Sequence, residues 1–213
     1  MLSGVARPMS DHATNVSQLI ERARMGDSDR LARLLESFRN YLALLARTWI
    51  DASLRGKADA SDLVQETLLK AHQRFRQFRG QTEPEIAAWL RQILARNLAD
   101  FARRFRLAEA RQVSRERSLE QMLDESSQAW GHIVAAGGNS PSQSAARREL
   151  SVVLADAMAE LPADYREVVL LRNLRELDWD EVAKQMNRSP GAARMLWARA
   201  LKQLRPLIES KLS

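Results

Sequence analysis

Cysteine is missing from all 213 residues, which rules out disulfides and thiolate metal sites. No apolar run is long enough to span a bilayer, and the opening MLSGVARPMSDHATN lacks the apolar stretch of a secretory signal. A cytoplasmic protein that does not enter a membrane is the expectation. The three histidines, His12, His72 and His132, are scattered through a tail, a helix and a linker, and read as solvated. No Gly-rich phosphate loop, serine elbow or HExxH motif occurs. Little is left for covalent catalysis, and no cofactor or metal is expected. Strand-type alternation is nearly absent as well, so the fold class expected is all-α.

What is present is charge and helical periodicity. Lys and Arg number 33 against 27 Asp and Glu, a net charge of +6. The excess is modest overall and uneven locally, and a basic surface favours a polyanion such as nucleic acid, or an anionic membrane. Hydrophobic residues make up 45%, enough for globular cores.

The periodicity predicts a loose, disordered tail over residues 1–14 and a short helix from Val16 to Met25, ended by Gly26-Asp27. Ser28 is placed to cap a helix carrying Leu31, Leu34, Leu35, Phe38, Leu42, Leu45 and Trp49 at helical spacing. Ser61 opens a third helix through Phe75. A turn-rich loop, Phe78 to Pro84, precedes a fourth helix from about Glu85 to beyond Arg104. The composition then shifts to Ser, Gly, Gln and Asn between Asp124 and Ser144, the signature of a flexible linker. Helices resume over Ala145–Glu160 and Ala163–Leu174, and Pro206 is expected to end or bend the last helix. Two small helical domains, 15–110 and 146–213, are thus joined by a linker over 111–145.

The run DWDEVAKQMNRSPGAARMLWARALKQLR, Asp178 to Arg205, reads as a helix-turn-helix. Asp178 caps the first helix, with Glu181 as reciprocal cap. Asn187 tolerates the left-handed turn, Ser189 caps the second helix, and Pro190 takes its first position. Ala183 lets the helices approach closely. This geometry places a second helix in a DNA major groove, while an ordinary αα-hairpin fits the same spacing.

Two further clusters carry chemistry. Asp59, Asp62 and Glu66 gather at a helix start, which suits a cation; it equally suits the helix dipole, with Glu66 and Lys70 as an i,i+4 pair. The fourth helix presents Arg91, Arg96, Arg103, Arg104 and Arg106 with Trp89, Phe101 and Phe105. Arginines neutralise phosphates and aromatics stack on unpaired bases, or the face is simply solvated.

At these residues the chain resembles the bacterial RNA polymerase sigma factors of the sigma-70 family, extracytoplasmic-function type. LIERARMGDSDRLARLLESFRNYLALLAR resembles the family's opening helices, and DASDLVQETLLKAHQRF its polymerase-binding helix. FRGQ…AAWLRQILARNLADFAR resembles the minus-10 segment, and LPADYREVVLLRNL…LDWDEVAKQMNRSPGAARMLWARALKQLR the minus-35 domain. The SPSQ linker and the RMLWARAL helix are further similar to a sigma group common in planctomycetes.

The resemblance implies a promoter-specificity subunit that binds core RNA polymerase and promoter DNA and assists melting. An anti-sigma protein is an implied candidate partner. Asp62, Leu63, Gln65 and Glu66 match the polymerase-docking segment. Trp89, Gln92 and Arg96 match minus-10 positions, and the loop Arg79, Gly80, Gln81, Thr82 is the implied base-capturing loop. Ala88, Ala95 and Glu85 stand where primary sigma factors carry a tryptophan, a threonine and a tyrosine. In the second domain Arg194 matches a minus-35 contact. Gly191 and Ala192 permit close approach to DNA, Met195 can meet a thymine methyl, and Arg199 and Lys202 can hold phosphates. Leu196, Ala200, Leu201 and Leu204 are expected in the core, and Trp197 is either core or exposed. The rival readings are an autonomous helix-turn-helix regulator and a nucleic-acid-acting enzyme built on Asp59, Asp62 and Glu66.

Overall fold

A computed structural model describes residues 10–50, 59–108 and 141–212. Nine α-helices lie among these residues, with no strand. They are α1 (Ser10–Arg24), α2 (Ser28–Glu36), α3 (Arg39–Trp49), α4 (Ala60–Arg74) and α5 (Glu83–Ala108) in the first half. In the second half are α6 (Pro141–Glu160), α7 (Ala163–Val169), α8 (Trp179–Gln185) and α9 (Pro190–Leu212). No described helix is long and apolar enough to cross a membrane.

The helices start at aspartates and a threonine that were not all anticipated. Asp27, rather than Ser28, caps α2: its carboxylate accepts from the Arg30 N–H at 3.0 Å. Asp59 caps α4 by accepting from the Ser61 N–H at 2.8 Å, so the helix opens at Ala60 rather than Ser61. α1 begins six residues before Val16, within the expected tail, and α6 begins at Pro141 rather than Ala145. Most of the expected linker lies outside the described residues, as do the start of the tail and His132.

The expected single helix through Leu31 and Trp49 is two. Ser37 Oγ donates to the Leu34 carbonyl at 2.8 Å, and the Phe38 N–H reaches back only three residues, to Leu35. This tightened turn re-aims the chain and buries Phe38.

Three helices end alike. The N–H three residues past the helix bonds the carbonyl five or six positions back, around a residue with positive φ: Asp27 to Arg22 around Gly26, Leu177 to Leu171 around Glu176, and Arg188 to Ala183 around Asn187. Glycine and asparagine suit that position; Glu176, at φ 54°, was not foreseen there. Before Glu176 the chain widens into a π-helical turn over Leu170–Leu174, closed by the Arg175 N–H bonding the Leu170 carbonyl.

In the first half, Ile20, Leu34, Leu42, Leu45, Ile86 and Leu90 are fully buried. In the second, Leu154, Met158, Leu170 and Leu171 fill the same role. α6 packs on α9, and it also packs on α3 and α5 of the first half. Polar contacts follow the seam: Asn40 Nδ2 donates to Asp156 at 2.9 Å, Arg47 meets Glu167 at 2.6 Å, and Arg175 donates to the Arg47 and Ile50 carbonyls.

Pro206 does not end α9, which continues to Leu212. Leu207 and Ile208 pack against the core, and Lys211 reaches Glu160 at 2.6 Å, so tertiary contacts override the lost N–H.

Candidate nucleic-acid interface

The fold separates the residues of α4 into two faces. Leu63, Val64, Thr67 and Ala71 are buried, whereas Asp62 and Gln65 are exposed and Glu66 is half-exposed. Leu63, 4% exposed, therefore belongs to the core and not to a docking surface. Leu69, 58% exposed, lies on the same face as Asp62, Gln65 and Glu66. Sequence reasoning missed Leu69, although an apolar residue out of phase with the buried set was a usable signal.

The acids at this helix start have other employment. Asp59 is the cap, and Glu66 pairs with Lys70 at 2.7 Å. Lys70 Nζ also donates to Asn97 Oδ1 at 2.7 Å. Asn97 Nδ2 donates to Thr67 Oγ1 at 3.0 Å, and Thr67 donates on to the Leu63 carbonyl at 2.7 Å. Asn97 and Thr67 are buried, so this satisfied chain fixes α5 against α4 in one register.

The loop before α5 is built with equal care. Glu85 reaches back to the loop: its carboxylate accepts from the Gln81 N–H (2.8 Å), the Thr82 N–H (3.0 Å) and Thr82 Oγ1 (2.8 Å). These bonds hold the Glu85 carboxyl below the usual range, the Gln81 N–H contributing most. The helix consequently opens at Glu83, two residues before Glu85. From the other side, Arg24 of α1 donates to the Gly80 carbonyl and stands over the Phe78 ring, 5.9 Å from its centroid. A Cβ on Gly80 would fall 2.5 Å from Phe78 Cζ and 2.7 Å from Glu85 Cβ, so only glycine fits.

Inside this frame Arg79, Gln81 and Thr82 are exposed and Gly80 is half-buried. Trp89 is half-buried, with its ring 5.1 Å from Phe78 and 6.4 Å from Phe75. It belongs to an aromatic cluster that floors the loop. Gln92 and Arg96 follow it at one and two turns along α5, both exposed, with Arg103 beyond them on the same face. Arg91 is half-buried, as is Phe101; the side chains of Arg104, Phe105 and Arg106 lie outside the described residues. Arg24 and Asn97 were not singled out from the sequence, because their roles arise from helices far apart in the chain.

In the second half, the helix-turn-helix is formed by α8 and α9. Asp178 caps α8 by accepting from the Asp180 and Glu181 N–H groups at 3.1 and 2.8 Å. Glu181 does not return the bond; it lies 3.5 Å from Lys184. Asn187 takes φ 51°, and Ser189 Oγ accepts from the Ala192 N–H at 3.2 Å to cap α9. Ala183 is buried at the helix crossing.

α9 exposes Gly191, Ala192, Arg194, Met195, Arg199 and Lys202 on one side and buries Ala193, Ala200 and Leu204 on the other. Leu196 and Leu201 are half-buried against the core rather than within it. Nothing lies within 4 Å of a Cβ added to Gly191, so its smallness serves no internal packing. Met195 is 59% exposed, unusual for a methionine without an outside contact. Trp197 is neither core nor free: half-buried, it donates from Nε1 to Asn173 Oδ1 at 2.8 Å.

The geometry defines, among the described residues, an all-helical protein that carries a helix-turn-helix and, on a separate helix, a face bearing acid and amide groups. Comparison with known families agrees. Residues 34–107 match the family described as Sigma-70 region 2, and residues 151–204 match Sigma-70, region 4. The sequence is 30% identical to the ECF RNA polymerase sigma factor BldN of Streptomyces coelicolor, over 95% of this chain and 69% of BldN. It is 26% identical to the ECF RNA polymerase sigma-E factor of Haemophilus influenzae, over 98% of both chains. A chain of the solved RsbN–BldN complex aligns at 26% identity over 88% of this chain and 98% of that one, with a TM-score of 0.30. The chain belongs to the sigma-70 family, in its extracytoplasmic-function branch. It is a sigma factor, which joins core RNA polymerase and directs it to promoters.

Proposed function

We propose that the two halves divide promoter recognition between them, residues 15–110 serving polymerase and the minus-10 element and residues 146–213 the minus-35 element. Residues 111–145 would connect them. The observation that carries this reading is the exposure pattern. α4 turns Asp62, Gln65 and Leu69 outward, while the framed loop Arg79–Thr82 and the outer row Gln92–Arg96 occupy α5 and its entrance. An acidic and amide surface with one apolar residue suits a basic helical partner. A caged loop with exposed Arg79 and Gln81 suits an extruded base, whose lost stacking and pairing must be offset by contacts. On α9, Arg194 and Met195 face base edges and Arg199 and Lys202 face phosphates.

Under this reading the chain acts in the cytoplasm and performs no covalent chemistry, which belongs to the polymerase. Because its relative BldN occurs in a complex with RsbN, a protein inhibitor of the anti-sigma kind is included among its partners.

The test is transcription with purified core polymerase on the genome's own promoters. Promoter-specific transcripts should require the protein. Replacing Gln65 and Leu69 by alanine should weaken core binding while helicity is unchanged. Specific DNA binding as a dimer, with no transcript in the presence of polymerase, would instead establish an autonomous regulator.

A further inference from the structure

Arg194, read above as a base-contacting residue, is exposed on α9 and makes no hydrogen bond or ion pair with any described residue. What holds it is an aromatic face. Its guanidinium carbon stands over the Trp179 ring, 5.6 Å from the centroid. We propose that Trp179, the first residue of α8, is a positioning residue that sets Arg194 for readout of the minus-35 element. The inference rests on the reading of Arg194 as a base-contacting residue.

The indole is itself fixed from three directions. Trp197 of α9 meets it edge-on, with centroids 5.6 Å apart and planes at 78°. Trp197 is locked in turn by its Nε1 bond to Asn173. A second cation, Arg172, stands over Trp179 at 5.0 Å, and its Nη1 donates to the Leu177 carbonyl at 2.7 Å. Arg172 and Trp197 are half-buried, whereas Arg194 is exposed. The π-helical turn, the head of α8 and the middle of α9 thus converge on one ring.

The chemistry explains why a ring is preferable to a carboxylate here. A carboxylate partner would occupy the in-plane N–H donors that a guanine edge requires. An aromatic face attracts the guanidinium through its π-surface and leaves all five donors available. It also restricts a long, flexible side chain before DNA arrives, so less freedom is lost on binding. Arg172 is tethered to a backbone carbonyl, whereas Arg194 is exposed and can swing from the ring toward an anionic partner. A lysine at 194 would lack the planar fork and the stacking.

The experiment measures transcription by the polymerase holoenzyme on promoter pairs that differ at single minus-35 bases. It compares the native protein with Trp179→Phe, Trp179→Leu, Arg194→Ala and the double variant Trp179→Leu/Arg194→Ala. Trp179→Leu stays apolar but is smaller and removes the π face; it should reduce the preference at the Arg194-dependent base about two- to fivefold. Trp179→Phe should retain most of the preference. In the Arg194→Ala background, Trp179→Leu should change base preference no further. Equal loss on every minus-35 sequence, or preference losses from the two substitutions that multiply, would show that Trp179 is merely structural and overturn the proposal. If Arg194→Ala alone leaves base preference intact, the reading of Arg194 fails, and the proposal with it. If Arg194→Ala abolishes the preference while Trp179→Leu leaves it untouched, only the role of Trp179 fails.

Discussion

Arg47 and Glu167 meet at 2.6 Å although 120 residues separate them, and Arg175 reaches the Arg47 carbonyl beside them. The exposed ion pair and the guanidinium-to-carbonyl bonds differ in kind. An ion pair with both side chains about one-third exposed is screened, and its loss in Glu167→Ala should cost about 0.2–1 kcal/mol. Arg175→Ala leaves the Arg47 and Ile50 carbonyls without their donor and should cost about 1–3 kcal/mol. Denaturant unfolding of both variants checks the order, and small-angle scattering should show a larger radius for Arg175→Ala. Equal losses would mean that the seam is held by its apolar contacts alone.

Gly80→Ala tests the loop frame. The new methyl group must displace either the Phe78 ring or the start of α5, which Glu85 holds. A stability loss of about 1–3 kcal/mol is expected from overpacking. Opening of the minus-10 region, followed by permanganate footprinting, should fall more than binding to core polymerase. A fully active Gly80→Ala protein would show that the loop is free to move.

Glu85 predicts a pH dependence. Its folded-state pKa is depressed by hydrogen bonds to the ionised form. A depressed pKa stabilises the fold above the unfolded value, about 4.3 for glutamate, and that stabilisation is lost as pH falls through the folded value. The Gln81 and Thr82 amide resonances should therefore titrate with a midpoint below about 4.3. In Glu85→Gln this transition should vanish. A midpoint at or above the ordinary value would contradict these bonds to the Glu85 carboxylate.

Glu176 offers a stabilising change. It occupies the left-handed region at φ 54°, where a side chain costs about 1 kcal/mol or more and glycine costs little. Glu176→Gly should raise stability by about 1 kcal/mol, read from the thermal or urea midpoint. An unchanged or lower midpoint would mean that the Glu176 side chain makes contacts that outweigh the strain.

Helical class, the helix-turn-helix and most of the outward-facing residues were legible from periodicity, because burial repeats every three to four residues and caps use few residue types. Asp178, Asn187 and Ser189 do what their chemistry suggests. Leu63 was misplaced because a motif position was carried over without asking which face of α4 it occupies. Pro206 does not end α9 because the local cost of a helical proline, about 3 kcal/mol, is exceeded by packing of the flanking residues, and the left-handed Glu176 gave no signal in its residue type. Arg24 and Asn97 were illegible because each acts on a helix distant in sequence.

The framing of the loop before α5 has a consequence for how such a protein diversifies. Gly80 and Glu85 are fixed by contacts on both sides, with Arg24 and Phe78 as their counterparts. The side chains of Arg79 and Gln81 touch solvent. Under the reading proposed for this loop, the segment would work like a socket with exchangeable tips: a new base preference could be installed at two positions while the other four keep the shape. A change of promoter need not begin with a change of fold.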